Sequence, residues 1–291
     1  MCDERTASES AEFMAAAQVS RRRFNVLGGA AALAALLPRP ANAMAVVESD
    51  VAITTPDGTA DCYFVHPASG TYPGVVVWPD ILGLRPAFRA MGKRLAESGY
   101  CVLVVNPYYR TLKAPVVEEG ATFQDPAVRD KVMPLYQSMT PQVTKTDALA
   151  FTGWLDTQPS VDRTRKLGTT GYCMGGPMTM RTAAAVPGRV GAGASFHGAG
   201  LVTDDAQSPH LLVPELKAQF LIAIATNDDD KEPEAKTILR TAFDEAGATA
   251  EIEVYPGAMH GWCVIDSPVY NAPEAERAWA RLLALFGKAL V

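Results

Sequence analysis

In Gly171-Tyr172-Cys173-Met174-Gly175-Gly176, glycines stand two residues before and two residues after a cysteine. An apolar run at 166–171 leads into the cysteine, and a helical pattern follows it. This arrangement is typical of a nucleophile elbow, a strand-to-helix turn so tight that Cβ atoms at the flanking positions would collide. We predict that the elbow presents Cys173 at the positive end of a helix, where a thiolate is favoured and the Met174 backbone N–H is free to bind an oxyanion.

Short apolar runs alternate with helical patterns on both sides of this elbow. Before them, β-rich runs at 46–54 and 59–66 flank Pro56-Asp57-Gly58, which predicts an antiparallel hairpin. Strand patterns follow at 74–78, 100–105, 166–171, 190–197, 220–225 and 250–255, and helical patterns at 86–98, 142–156, after 173, at 234–246 and at 274–286. This alternation predicts an α/β fold with a mostly parallel central sheet and helices on both faces. The proline-rich segment 111–141 is expected to form a cap or lid over one end of the sheet.

Residues 1–43 have the order of an export signal. Ser20-Arg21-Arg22-Arg23-Phe24 precedes an uncharged run at 24–38, and Ala41-Asn42-Ala43 follows. This pattern resembles a twin-arginine signal peptide cleaved after Ala43, and the uncharged run is shorter than the roughly 20 apolar residues that span a bilayer. We therefore expect one domain at 44–291, export by the twin-arginine machinery to the periplasm or the exterior, and no membrane anchor after cleavage.

Two residues further along the chain are candidate partners of the cysteine. Asp228 follows the strand pattern at 220–225, and His260 follows Tyr255-Pro256-Gly257. The carboxyl ends of parallel strands gather at one edge of a sheet, and the order nucleophile, acid, histidine is that of α/β-hydrolases. We expect His260 to take the thiol proton and later activate water, while Asp228 fixes its tautomer. Asp229 and Asp230 fit better as caps of the next helix.

With these residues the sequence resembles the dienelactone hydrolase family, which consists of α/β-hydrolases with a Cys-Asp-His triad. The likeness covers nearly all of 44–291 and includes Trp78-Pro79-Asp80-Ile81-Leu82-Gly83-Leu84, Asn106-Pro107-Tyr108-Tyr109-Arg110, the elbow, Asn227-Asp228 and Met259-His260-Gly261-Trp262. The resemblance implies an α/β-hydrolase domain at 44–291 with Cys173, Asp228 and His260 as the triad. It also implies an oxyanion hole formed by the N–H groups of Met174 and Ile81.

The sequence departs from this family at two positions. The best-described members have a glutamate where this chain has Asp80, and that glutamate keeps the cysteine neutral until substrate binds. Asp80 is one methylene shorter, which leaves open a resting ion pair between the cysteine and the histidine, or a plain hydrogen bond from Asp80 to its own loop. Those members also hold a substrate carboxylate with two arginines, of which Arg110 alone is matched, because Val264 occupies the other place.

Two further side chains, Trp262 and His197, are expected either to line the substrate pocket or to pack beside it. Trp262 belongs to the histidine loop, and His197 lies at the end of the strand pattern at 190–197.

The chemistry of a sulfur nucleophile narrows the expected substrates. A tetrahedral intermediate expels its more stable anion, so the thiolate is expelled in preference to an ordinary alkoxide. The reaction therefore favours esters with enolate, phenolate or strained ring-oxygen leaving groups. We therefore predict a hydrolase for small activated esters or lactones that acts through a Cys173 thioester, needs no metal or organic cofactor and accepts carboxylate-bearing substrates if Arg110 binds them. The 32 acidic against 26 basic residues argue against nucleic acid as a partner.

Two alternatives from other classes remain open. One is a catalytically inactive α/β-hydrolase that serves as a small-molecule binding module. The other is a metal or redox site built from Cys173, Asp228 and His260, although the sequence has no closely paired ligands of the kind that zinc sites use. Outside the elbow, Cys62, Cys101 and Cys263 are expected to be structural, and their pairing is left open.

Overall fold

A computed structural model describes residues 4–16, 37, 38, 40 and 42–291 of the chain. Most of the uncharged run of the expected signal peptide, together with its arginines, lies outside these residues. In the described part, eight strands form one sheet in the order β1-β2-β4-β3-β5-β6-β7-β8. The strands are β1 (Val46–Thr55), β2 (Gly58–Pro67), β3 (Gly74–Trp78), β4 (Cys101–Val104), β5 (Leu167–Tyr172), β6 (Val190–Phe196), β7 (Gln219–Ala225) and β8 (Ala250–Tyr255).

The sheet is parallel except at its N-terminal edge. Strands β1 and β2 form an antiparallel hairpin, and β2 also runs antiparallel to β4, whereas the pairs from β4 through β3 to β8 are all parallel. The predicted mostly parallel sheet with an N-terminal hairpin is therefore confirmed. Because the strands from β3 onward point the same way, their carboxyl ends meet at one edge.

Helices connect the strands and flank the sheet. They are α1 (Glu4–Ala16), α2 (Pro86–Glu97), α3 (Pro126–Ser138), α4 (Pro141–Leu155), α5 (Gly175–Ala185), α6 (Thr226–Lys231), α7 (Ala235–Glu245) and α8 (Ala272–Ala289), with a 3-10 helix at Pro209–Glu215.

Strand β3 shows how both faces of the sheet are covered. Its side chains alternate, so Val75 and Val77 pack in one core with residues of α2 and α8. Val76 and Trp78 point the other way, into a second core with residues of α4. All of these side chains are buried, as expected for a strand with helices on each face.

The segment 111–141, expected to be a cap or lid, contains a helix that the sequence pattern did not predict. Helix α3 begins after Asp125, whose carboxylate accepts the Ala127 N–H at 2.9 Å, and it has Pro126 in its first turn. Val132 and Leu135 bury this helix against the second core. The part of the segment that precedes α3 reaches the carboxyl edge of the sheet, where it forms one wall of the cleft described below.

The turn from β5 into α5 depends on two glycines. A Cβ atom on Gly171 would lie 2.0 Å from the carbonyl oxygen of Gly175, and a Cβ on Gly175 would lie 2.4 Å from the carbonyl oxygen of Trp78. Both distances are far below any normal contact, and both would be to backbone atoms that cannot move aside on their own. The two glycines therefore allow β3, β5 and α5 to come together at this turn.

We expect Gly171→Ala to lower the free energy of unfolding by roughly 3 kcal/mol, because the added Cβ forces β5 and α5 apart. For a chain of this size the loss corresponds to a fall of roughly 6–12 °C in Tm, measured by circular dichroism. Gly153→Ala on α4 is the matched control, since nothing lies within 4 Å of its Cβ position and alanine favours a helix. Equal melting of Gly171→Ala and the wild type would contradict the close approach.

Candidate active site

Cys173 occupies the turn between β5 and α5 in a backbone conformation that few non-glycine residues adopt. Its φ is +53°, in the left-handed region, as expected for an elbow. Its N–H donates to the carbonyl of Phe196 and to Nδ1 of His197, both at 3.1 Å. The side chain is 3% exposed and lines a cleft at the carboxyl edge of the sheet.

The histidine and the aspartate predicted from the sequence are paired beside this cysteine. Nδ1 of His260 lies 2.8 Å and 3.0 Å from the two carboxylate oxygens of Asp228, which stands on the short helix α6 directly after β7. The side chain of the neighbouring Asn227 fixes the histidine loop, because its Oδ1 accepts the His260 N–H at 2.8 Å. The structure therefore brings Cys173, Asp228 and His260 to the same end of the sheet, the last two in direct contact.

The surroundings of His260 favour its charged form. Burial lowers the pKa of the imidazole, but the carboxylate of Asp228 and the hydrogen-bonded sulfur of Cys173 outweigh that effect and raise the pKa to about 10. An imidazolium here has the Asp228 carboxylate as one partner and the Cys173 sulfur as the other. The arrangement can hold a proton on His260 while the sulfur is a thiolate.

His197 contacts both members of this pair as a neutral imidazole. Its Nδ1 accepts the Cys173 N–H, which leaves its proton on Nε2. Burial, and next the proximity of His260, hold the pKa of His197 well below its usual value. The two rings meet edge to face with centroids 4.9 Å apart, and His197 also lines the cleft. The sequence placed His197 at a strand end, but it gave no sign of the contact with the Cys173 backbone.

Asp80 lies in the cleft but is bound to an arginine. The guanidinium of Arg85 donates to Oδ1 and Oδ2 of Asp80 at 2.6 and 2.9 Å, and Oδ1 also accepts the Leu82 N–H at 2.9 Å. The other side of Arg85 donates to both carboxylate oxygens of Asp266, at 2.7 and 2.8 Å. Burial lowers the pKa of Arg85, but these two carboxylates outweigh it, so the guanidinium stays charged.

Sequence reasoning missed Arg85 and Asp266. The only local signal was an arginine five positions after Asp80, at the start of α2. Its second carboxylate lies 181 residues further along the chain, and no spacing rule joins positions that far apart.

The structure corrects the expectation for Arg110. Its guanidinium forms ion pairs with Asp57 and with the fully buried Asp147, both at 2.6 Å, and Arg110 is not among the described residues that line the cleft. Two carboxylates therefore occupy the donors that were expected to hold a substrate. Val264, at the position of the second arginine of the family, is buried in the core.

Trp262 is a packing residue and not a pocket residue. It has no exposed surface. Its ring stacks on that of Tyr255 with the centroids 5.2 Å apart, and it meets the ring of His197 edge to face, also at 5.2 Å between centroids. Of the two residues expected either to line the pocket or to pack beside it, only His197 reaches the cleft.

The next helix after Asp228 differs from the sequence expectation. Asp229 lies within α6 and forms an ion pair with Lys236 at 2.6 Å, and α7 has Glu234 at its N-cap position. Asp229 and Asp230 are therefore not the N-cap of that helix.

Three cysteines outside the elbow, Cys62, Cys101 and Cys263, are buried free thiols.

Tyr108 links the two residues predicted to form an oxyanion hole. Ile81 lines the cleft, and Met174 stands at the N-cap position of α5. The hydroxyl oxygen of Tyr108 lies 2.9 Å from the Ile81 carbonyl oxygen and 3.0 Å from the Met174 sulfur, so it joins the two loops. That their N–H groups bind an oxyanion stays a prediction.

The walls of the cleft come from separate segments of the chain. Residues 121–124, which precede α3, form one wall, and Ile81 and Leu82 form another. Within the segment 111–141, which was expected to cover one end of the sheet, residues 121–124 lie at the carboxyl edge.

Helix α1 lies across this cleft, although the sequence gave residues 1–43 no part in the fold. Thr6, Ala7 and Ser10 add to the lining of the cleft. Glu9 anchors the helix, because it accepts from the Asn227 side chain at 2.8 Å and forms an ion pair with Lys231 at 2.7 Å. The segment ahead of the arginine motif therefore contacts α6, the helix that carries Asp228, and lines the same cleft as Cys173.

Comparison with known proteins identifies the family. The model of the dienelactone hydrolase family matches residues 60–290, which include the elbow, the aspartate and the histidine. The chain belongs to the dienelactone hydrolase family. Its members are hydrolases of carboxylic esters, and this chain is one of them.

Individual members of the dienelactone hydrolase family share both sequence and fold with the chain. A Synechocystis protein named "Putative carboxymethylenebutenolidase" is 30% identical over 229 residues, which cover 77% of this chain and 89% of the relative. The Pseudomonas putida carboxymethylenebutenolidase is 24% identical over 217 residues, or 75% of this chain and 86% of the relative. A Klebsiella pneumoniae structure described as a "Putative Dienelactone Hydrolase" superimposes with a TM-score of 0.72 at 24% identity, over 84% of this chain and 99% of that one. The expected α/β-hydrolase fold is confirmed.

The residues that the structure describes contain neither a cluster of metal ligands nor a membrane-spanning helix. No group of three or more His, Cys, Asp or Glu side chains in this part of the chain is arranged to hold a metal ion. Across the same residues, every helix is too short or too polar to cross a bilayer.

Proposed function

We propose that this member of the dienelactone hydrolase family hydrolyses small activated carboxylic esters or lactones through a thioester on Cys173. His260 serves as general base and acid, and Asp228 holds its ring in line. The observation that carries the proposal is the 2.8 Å contact between His260 and Asp228, next to a cysteine that a left-handed turn presents to the same cleft.

The reaction proceeds by two acyl transfers. The Cys173 sulfur attacks the ester carbonyl carbon, and the resulting oxyanion is stabilised by the N–H groups of Met174 and Ile81, each contributing on the order of 3 kcal/mol. The C–O bond to the leaving group then breaks, and the proton on His260 goes to the departing oxygen. In the second half, His260 takes a proton from water, the hydroxide attacks the thioester, and the acid leaves as the thiolate returns.

The resting enzyme contains a thiolate–imidazolium pair in this proposal. The raised pKa of His260 supports it, because the charged ring sits between the Asp228 carboxylate and the sulfur. The position of Asp80 supports it too, since both of its oxygens are bound by Arg85 and one of them also accepts a loop N–H. A carboxylate held in this way does not need a thiol proton as its partner.

The leaving group limits the substrates. A thiolate is a better leaving group than an ordinary alkoxide, so the intermediate returns to the starting ester unless the other oxygen carries its charge well. Enol-lactones and aryl esters meet this condition, whereas peptide bonds and simple alkyl esters do not. The nucleophile, the base and the oxyanion donors of this reaction are the side chains and backbone N–H groups described above.

Export completes the proposal. We place a twin-arginine signal peptide at 1–43 and the enzyme at 44–291, in the periplasm or outside the cell. Helix α1 belongs to the part that cleavage after Ala43 removes, so the precursor has its cleft covered by Thr6, Ala7 and Ser10 and the mature chain does not. Covering the cleft before export keeps substrate away from Cys173.

We expect Cys173→Ala to reduce the hydrolysis of 4-nitrophenyl acetate and of a small enol-lactone by at least about 1,000-fold, because no other group supplies the nucleophile. The release of 4-nitrophenolate and the loss of lactone absorbance measure the rates. Cys263→Ala is the control, since that thiol is buried away from the cleft lining. Unchanged turnover by Cys173→Ala would remove the nucleophile assignment, and an inactive wild type that binds the lactone would indicate the binding module.

The rate of Cys173 alkylation by iodoacetamide is expected to vary less than about threefold between pH 6 and 9, because the sulfur is already ionised across this range. An ordinary thiol with a pKa near 8.5 would react about tenfold faster for each pH unit up to that value. Asp228→Asn removes the anion that supports the imidazolium, so this variant should regain a steep pH dependence. A tenfold rise per unit in the wild type would mean a resting neutral thiol.

A chain that begins at Met44 is expected to react with iodoacetamide at least about fivefold faster than the full precursor at the same pH, because α1 no longer covers the sulfur. In the full precursor, Glu9→Ala should give an intermediate rate, since it removes the contacts to Asn227 and Lys231. N-terminal sequencing of the exported protein checks the cleavage site, with Met44 expected first. Equal rates for the precursor and the shortened chain would show that α1 does not shield the site.

A further inference from the structure

The charges of the cleft come from three side chains that bind one another. Among the described residues that line it, the formally charged ones are Asp80, Arg85 and Asp266, apart from the proposed Cys173–His260 pair, whose charges cancel. The lining therefore carries two carboxylates against one guanidinium. A further carboxylate, Asp228, stands behind His260.

The one guanidinium in this lining has no donor left for a substrate. A guanidinium has five N–H donors. In Arg85 they reach both oxygens of Asp266, both oxygens of Asp80 and, at 3.3 Å, the carbonyl of Gly83. Arg85 is also only 7% exposed. It therefore completes a partly buried ion triple and does not act as an anion receptor.

Because every N–H donor of Arg85 is occupied, we infer that the enzyme selects uncharged esters and lactones and discriminates against substrates that carry a carboxylate. The inference rests on the proposed esterase function and replaces the carboxylate-bearing substrate that Arg110 had implied. A substrate carboxylate would lose part of its hydration on entry, would meet a lining with net negative charge and would find no free cation. An apolar acyl group would instead contact Ile81, Leu82 and Phe123.

The experiment compares two esters with the same acyl chain and the same leaving group. The mono-4-nitrophenyl ester of glutaric acid carries one carboxylate, and its methyl ester is the uncharged counterpart. The rate with the Cys173→Ala protein is subtracted for each, because the free carboxylate can cleave its own ester. We expect kcat/KM of the wild type to be at least about tenfold higher for the methyl ester.

A matched pair of variants tests the cause of the preference. Asp266→Asn removes one negative charge and frees part of Arg85, so it should reduce the preference for the uncharged ester by about tenfold or more. Asp57→Asn removes one partner of Arg110, which does not line the cleft, and should leave the preference unchanged.

Salt provides a second measurement that needs no variant. Raising NaCl from about 20 mM to about 500 mM screens the charges at the mouth of the cleft and should narrow the preference of the wild type. This arm keeps the proposal testable if Asp266→Asn does not fold.

The outcomes separate the two proposals. Equal or faster hydrolysis of the carboxylate-bearing ester by the wild type would overturn the inference and leave the esterase function intact. A preference that neither Asp266→Asn nor salt alters would also overturn it, because the charges would then not be the cause. Absence of turnover for both esters above the Cys173→Ala rate would overturn the esterase function itself, and the inference with it.

Discussion

The contact between the backbones of Gly171 and Gly175 sets the geometry on which the rest of the site depends. Because neither residue has a Cβ, β5 runs straight into α5, and Cys173 is left in the left-handed region of backbone space. The parallel order β5-β6-β7-β8 then brings the loops after β7 and β8 to the same edge, with Asp228 on the first and His260 on the second. A sheet with this order places side chains that are far apart in the sequence within reach of one sulfur.

A second level of organisation comes from the partly buried ion triple around Arg85. Its two carboxylates come from the loop after β3 and from the loop that precedes α8, so the triple joins distant parts of the chain. Burying the Arg85 charge is costly, and its hydrogen bonds offset that cost because every donor has an acceptor. The same bonds occupy both carboxylate oxygens of Asp80. One interaction thus bears both on the ionisation of the site and on the charge that a substrate meets.

The sequence predicted the features that have local signals, but it did not predict which charged side chains bind each other. The elbow, the hairpin and the alternation of strands and helices follow from residues close together in the chain, and the structure has all of them. Helix α3 was missed because the prolines within and around it suggested a loop, although Asp125 caps the start of a helix there. The partners of Arg85 and Arg110 were missed for another reason, because the tertiary fold decides which carboxylate binds each arginine. A sequence motif does not show whether a guanidinium already has a carboxylate partner.

The buried state of the other thiols has a consequence for redox chemistry. Burial raises the pKa of Cys62 to about 12 and that of Cys101 to about 11, and it raises the pKa of Cys263 well above its usual value. Such groups stay protonated and react slowly with oxidants and electrophiles. Under the proposed mechanism, peroxide would therefore act on the sulfur at the elbow before these three buried thiols, through sulfenic to sulfinic acid, and would stop the enzyme while its fold remains whole.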